Sequence, residues 1–484
     1  MSDPATSTEI SAADVEGAQL SASVDTVTPS RHVSGEQPSR DESRALRQEV
    51  LSIATPVMAQ NLLRTLLVFV ETVLMGHVSE NALAAMGLCG SLIWSFTSLL
   101  MVVATGALAT VARSVGANDD EKSRINSATG LLCGIVLGVV ATLIGENLAQ
   151  PLVHAFVREP EVASLAVSFL TIVFLAWPFN MMSMVAAAIL RGAGDSRTPM
   201  WVMALANLYN IAASIVLVFG KLGFPALGIR GAALATASAM VLEGLALFAY
   251  LFSPKSVVRI SVRSFVQISG ESLRRLWKVA GPGFLEPAAV QSAFLIFTGL
   301  VSALGAASMA AYRLGVAVES LSVLPGTGFE VAAGAVVGQS LGAGDPARAE
   351  RACGITLRYA LVVMGSIGLG LILFRRSTAG IFTHNADIVA LGVTGLVMVA
   401  LNQPFKALAF SYQGALRGAG DTRSTSLVAV LGAWVVRVPL AASLIWIFGW
   451  GLTGIWTAVV CDWAVRAVLL RHRFQRGYWK QIKL

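Results

Sequence analysis

The octapeptide LRGAGDSR occupies residues 190–197, and LRGAGDTR occupies residues 416–423, 226 positions later. The same offset joins Ser114-Val115-Gly116-Ala117-Asn118-Asp119 to Ser340-Leu341-Gly342-Ala343-Gly344-Asp345. It also joins Pro56 to Pro282, Pro178-Phe179 to Pro404-Phe405, Phe156 to Phe382, and Gly228-Ile229 to Gly454-Ile455. Six landmarks at one spacing, with no net insertion, make the chain a duplicated unit.

Around these turns the sequence consists of apolar runs of 18 or more residues, punctuated by short Gly, Pro and charged stretches, which predict transmembrane helices. Twelve are expected, near 51–76, 83–111, 126–147, 162–190, 198–220, 229–252, 277–302, 309–338, 353–374, 388–416, 424–448 and 452–470. Composition agrees: 13% of the 484 residues are charged, 55% are hydrophobic and the mean hydropathy is +0.70. A soluble domain carries roughly 25% charged residues, so an ordinary cytosolic enzyme is excluded. Six helices per unit insert both copies in the same direction, as parallel repeats whose interface surrounds a central space. The expected fold is an all-α integral membrane protein of twelve helices in two pseudo-symmetric six-helix lobes around a central cavity.

Orientation follows from Lys and Arg. With a cytoplasmic N-terminus, inside segments hold 26 of the 35 basic residues and outside loops hold six, while Arg64, Lys406 and Arg437 lie within spans. Both termini are expected in the cytoplasm, in a plasma (inner) membrane. The net charge of +7 therefore reflects topology, and no nucleic-acid partner is expected. Residues 1–45 hold eight acids and three bases without an apolar core, and predict a disordered cytoplasmic tail. The remaining boundaries are a first lobe at 46–252, a linker at 253–276, a second lobe at 277–470 and a basic tail at 471–484. The linker's spaced Arg, Val, Ile and Phe residues suit either an interfacial segment or a plain basic loop. Cys89, Cys133, Cys353 and Cys461 all sit in apolar runs without CxxC spacing, so they read as small buried hydrophobes.

The chain resembles the multidrug and toxin extrusion (MATE) transporter family. The resemblance is carried by Val70-Glu71-Thr72-Val73-Leu74-Met75-Gly76 followed by Leu83-Ala84-Ala85, by Val337-Gly338-Gln339-Ser340-Leu341-Gly342-Ala343-Gly344-Asp345, and by both LRGAGD copies. It covers essentially residues 50–470. It implies cation-coupled export of organic, often cationic, drugs by alternating access of two six-helix lobes. The family usually places an aspartate where this chain has Glu71. Its sodium-coupled branch also has acids deep in helices seven and ten. Here Glu286 stands about one turn nearer the cytoplasm, and helix ten carries Lys406. The resemblance thus implies proton coupling ahead of sodium.

Each ionisable group within a span needs a reason, since burying one in lipid costs at least ~2.5–3.5 kcal/mol on insertion scales. Arg64 precedes Glu71 by seven residues, which puts both on one helix face roughly 10 Å apart. Two readings stand: a water-linked structural pair, or a proton carrier whose burial competes with the guanidinium. Glu319 and Glu330 share a face three turns apart, on either side of Pro325-Gly326-Thr327-Gly328, where the helix should kink. Glu330 and Glu286 would form a second acidic cluster. Alternatively Glu319 pairs with Arg313 and Glu330 with Lys406. Glu243 and Asp462 would pair with Arg437 or face a wet cavity. Asn61 and Asn180 read as interhelical hydrogen-bonding groups.

The LRGAGD turns read as hinges in which Asp195 and Asp421 cap the next helix and the arginines anchor at headgroups. Neither turn has the GxxxxGK[ST] spacing of a nucleotide cradle. Pro178 and Pro404 should bend matching spans. Trp94, Trp177 and Phe179 are candidates for stacking an organic cation. No nucleophile–base set, metal-ligand cluster or cofactor motif occurs, so neither an enzyme nor a cofactor is expected. The reading is a monomeric antiporter in the lipid bilayer, exchanging a proton, or less favourably sodium, for a small organic cation. The alternatives are a flippase of lipid-linked oligosaccharide or another amphiphile, which requires a cationic cavity, and an uncoupled channel.

Overall fold

A computed structural model describes residues 40–482, and every regular element in them is helical. Residues 1–39, most of the segment read as a tail, lie outside the described residues. Residues 45–482 lie in one compact unit.

The first half of the duplication holds α1 (Arg40–Gly76), α2 (Glu80–Gly116), α3 (Asp120–Phe156), α4 (Pro160–Leu175), α5 (Trp177–Gly192), α6 (Arg197–Phe219) and α7 (Ile229–Phe252). The linker forms α8 (Val262–Val266) and α9 (Gly270–Ala280). The second half holds α10 (Glu286–Ser302), α11 (Ala306–Gly342), α12 (Pro346–Leu373), α13 (Arg375–Phe382), α14 (Ala386–Gly418), α15 (Thr422–Leu431), α16 (Val438–Trp446) and α17 (Gly451–Gln475). Eleven helical stretches are long and apolar enough to cross a membrane, and there are twelve when the bent pair α4–α5 is counted as one span. The protein is a multi-pass integral membrane protein. Two boundaries differ from the sequence reading. The first helix begins at Arg40, inside the segment read as a tail, because Asp41 and Glu42 favour a helix N-terminus. The basic segment after 471 continues α17 and then folds back, stacking a fully buried Trp479 on Phe474.

The repeated turns have repeated geometry. Gly194 and Gly420 hold φ of +96° and +91°, a left-handed conformation open to glycine at little cost. The carboxylates of Asp119 and Asp345 accept from the amides of Lys122 and Arg348 at 3.0 and 2.7 Å, capping α3 and α12. These turns lie at one end of the bundle, called here the basic end. There α2 and α11 cross in backbone contact. A Cβ on Gly116 would sit 2.0 Å from the Gln339 carbonyl oxygen, and one on Gly342 would sit 2.1 Å from that of Arg113. Only glycine permits that approach from both sides.

The twin prolines part company. The span of Pro178 breaks between α4 and α5 with a 55° bend, as a proline near a helix start allows. At Pro404 the span does not break, and α14 runs through it. The α3 glycines at 134 and 138 pack against the broken span, where a side chain would meet Val185 or Pro178 within 3 Å. Their counterparts are Ala360 and Met364, so the matching gap in the second half is filled. Pro56 and Pro282 show the converse: α1 is continuous, whereas residues 281–283 form a tight turn between α9 and α10. Pro325 likewise sits inside an unbroken α11.

Candidate functional site

Between the halves lies a cavity of about 220 Å³. One wall comes from the first half, through Gln60, Asn61 and Arg64 on α1, Arg191 on α5 and Glu243 on α7. The other comes from Glu330 on α11 and Arg417 on α14. Asn61 donates to Thr327 Oγ1 at 2.7 Å across the cavity, beside Pro325. Met101, Met184 and Met203 supply adaptable apolar surface.

The two arginines of the LRGAGD turns are wall residues. Arg417 donates through Nη1 to Glu330 at 3.0 Å and through Nη2 to both Glu286 oxygens at 2.9 and 3.1 Å. Gln413 donates to Glu330 at 3.0 Å and Ser426 to Glu286 at 2.7 Å, which completes a half-buried Glu–Arg–Glu cluster. Lys406 is therefore not the partner of Glu330. It is buried against Glu319 instead, and Arg313 is not the partner of Glu319. In the first half Arg191 donates to Gln60 at 3.2 Å, and Gln60 is the positional counterpart of Glu286.

Glu71 lies apart from this cavity, enclosed by α1, α6 and α7. Its Oε1 accepts from Asn210 Nδ2 at 3.1 Å and Thr236 Oγ1 at 2.9 Å, and Ser214 in turn donates to Asn210 at 3.0 Å. Among the described residues it has no ion-pair partner. The expected contact with Arg64 does not form, since Arg64 faces the central cavity near Glu243 and Arg191. In the second half Asp462 stands at the counterpart of Thr236, and it is ion-paired to Arg437 at 2.6 Å and Arg466 at 2.6 Å. The guanidinium of Arg466 and the ammonium of Lys406 both lie over the Trp463 ring.

None of the aromatic candidates lines the cavity. Trp94 is 60% exposed on the outer surface of α2. Trp177 is fully buried with Phe96 and Phe174, and Phe179 packs in the first half's core. Asp195 accepts from the Thr198 amide at 3.0 Å, as a cap does. Asp421 pairs instead with Arg473 at 2.7 Å and makes no cap hydrogen bond. The headgroup anchoring expected of the LRGAGD arginines does not hold for Arg191 and Arg417, which turn into the cavity wall toward Gln60 and toward Glu286 and Glu330. Basic residues at a turn are already explained by topology, which masked this role. The signal was the 226-residue offset, which pairs Gln60 with Glu286 opposite them.

The MatE family profile matches residues 56–216 and 282–443, once in each half of the duplication. A relative from Thermotoga maritima, "Probable multidrug resistance protein NorM", is 30% identical over 447 residues, covering 91% of this chain and 95% of its own. The "Multidrug resistance protein NorM" of Burkholderia vietnamiensis is 29% identical over 433 residues, covering 87% and 92%. An outward-facing multidrug resistance MATE transporter of the MOP superfamily superposes with a TM-score of 0.83 at 22% identity, covering 92% of this chain and 100% of that one. A MOP superfamily transporter from Pyrococcus furiosus, described as having a binding pocket of reverse polarity, gives 0.84 at 21% identity, covering 92% and 100%. The chain belongs to the MatE family of membrane transporters.

Proposed function

We propose that the protein is a secondary active multidrug exporter driven by protons, with sodium the less favoured ion, and that it carries small organic cations by alternating access of its halves. The basic end faces the cytoplasm in this reading. One observation carries it: Glu71 is a buried carboxylate stabilised by two hydrogen bonds and no cation. An isolated charge inside a membrane bundle is costly, and binding a proton removes that cost. Asn210 and Thr236 report the change to α6 and α7, whose packing on α1 then differs between the two protonation states. Loss of the proton on the cytoplasmic side restores the charge and resets the cycle.

Purified protein in liposomes, given a panel of cationic dyes under an imposed proton or sodium gradient, tests the reading against Glu71→Gln. Gradient-driven uptake should vanish in the variant. Intact uptake would remove Glu71 from the coupling.

A second reading, transport of an anionic amphiphile, is favoured by the cavity wall. Three cations, Arg64, Arg191 and Arg417, line it against two acids, Glu243 and Glu330. Faster transport of anionic than cationic probes under the same gradient would select it.

A further inference from the structure

At the basic end a second pocket, of about 180 Å³, is enclosed by α2, α3, α9 and the end of α11. Three cations line it: Arg113, Lys122 and Arg275. Asp119 is the carboxylate on its wall, held by Lys122 at 2.7 Å. Glu271 reaches Arg275 only at 3.9 Å and is largely exposed. The Nε atoms of Arg113 and Arg275 are buried and lack a hydrogen-bond partner.

The duplication shows what is missing. Lys122 and Arg275 correspond to Arg348 and Glu49 at the 226-residue offset, and Arg113 corresponds to Gln339. In the second half Arg348 and Glu49 close their site with an ion pair at 2.5 Å. In the first half the acid of that pair has become an arginine, and the neutral glutamine has become another. The Arg348–Glu49 type of pair has been replaced by two cations, so that three cations and the single acid Asp119 surround a space. Arg113 Nη2 donates to the Ala419 and Ile482 carbonyls at 3.4 and 2.7 Å, but the unpartnered Nε–H donors of two half-buried guanidinium groups call for an oxyanion.

We propose that this pocket binds a phosphate-bearing anion, either a soluble phosphate compound or the headgroup of an acidic phospholipid. Leu341 and Gly342 form part of the wall, so the site is complete only while α2 and α11 cross at this end. Occupancy therefore favours that arrangement of the halves, by linkage. The phosphate bridges Arg113 Nε, Arg275 Nε and the Lys122 ammonium, without disturbing the hydrogen bonds from Asn126 to Thr110 and Ser114.

Two measurements on the full chain test the proposal without any transport assay. In detergent, pyrophosphate should raise Tm saturably, beyond the effect of sodium chloride at equal ionic strength. In native mass spectrometry, phosphatidylglycerol should be retained over phosphatidylcholine. A response to pyrophosphate alone identifies a soluble ligand, and lipid retention alone identifies the headgroup. Arg275→Glu recreates the ion pair of the other half, so it should fold while its affinity falls at least about tenfold. Arg113→Gln, which installs the counterpart residue, should show the same loss and serves if the first variant misfolds. Absence of both responses in the wild type, or undiminished responses in both variants, overturns the proposal.

Discussion

The two halves share one template and treat buried charge in opposite ways. In the first half the acid beside α6 and α7 is Glu71, held by Asn210 and Thr236 with no cation. In the second half those three positions are Phe297, Val436 and Asp462, and the acid is fixed by Arg437 and Arg466. The contrast recurs along the fold. Asn180 and Ile93 correspond to the Lys406 and Glu319 ion pair, and Arg191–Gln60 corresponds to Arg417–Glu286. Charges in the second half are mutually neutralised, which suits a rigid body. The first half keeps a lone acid and a broken span at Pro178, the two properties a moving, ion-responsive element needs. If Glu71 carries the coupling proton as proposed, duplication lets one copy specialise in holding shape while the other keeps the titrating group.

The largest effect that would break this contrast is loss of transport in Glu71→Gln, to the background of empty liposomes, with Tm changed by only a few degrees. If the amide retains gradient-driven uptake, the halves differ in structure but not in role. Next in size is Asp462→Asn. It leaves two buried guanidinium groups facing a neutral amide, and breaking a buried ion pair costs about 3–5 kcal/mol. A large fall in Tm should accompany it, or loss of the folded peak on size exclusion. A variant as stable as wild type would show that the second half's network is not structural. A milder test exchanges Glu319 and Lys406. Each single neutralisation should destabilise by about 3 kcal/mol, and the double swap should recover most of it if the pair acts as a unit.

The duplication and the number of spans were legible because apolar length and repeat spacing are one-dimensional signals. Pairing partners were legible only in part: Asp462 does meet Arg437, and Glu286 and Glu330 do come together, on Arg417. Glu319 had Arg313 six residues away, yet its partner is Lys406 on a different helix, a choice made by how α11 packs on α14. A seven-residue spacing puts Glu71 and Arg64 near one face of α1. That face borders the cavity at Arg64 and the α6–α7 packing at Glu71, so the two side chains diverge. Pro404 had the same sequence signal as Pro178. What differs is the neighbour: α3 glycines 134 and 138 lie against the broken span, and their counterparts are Ala360 and Met364.

The smallest expected effect concerns the paired caps Asp119 and Asp345. Hydrogen bonds from the Lys122 side chain and amide hold the Asp119 carboxyl below the usual aspartate range. A depressed value in the folded state means the group contributes stability above its unfolded value, and the contribution fades as pH falls through the folded one. Asp119 is solvent-accessible, so screening keeps the gain small. Asp119→Ala should cost about 1 kcal/mol at neutral pH through the lost cap, and its difference in Tm from wild type should shrink on acidification. Asp345→Ala should cost more. Its cap hydrogen bond at 2.7 Å positions Arg348, which reaches both Ser340 and Glu49, so that substitution also loosens the ion pair missing from the first half. Equal losses for the two alanine variants would mean that the cap alone sets the cost. The neutral closure of the second site and the cationic pocket of the first would then be independent of the turns they share.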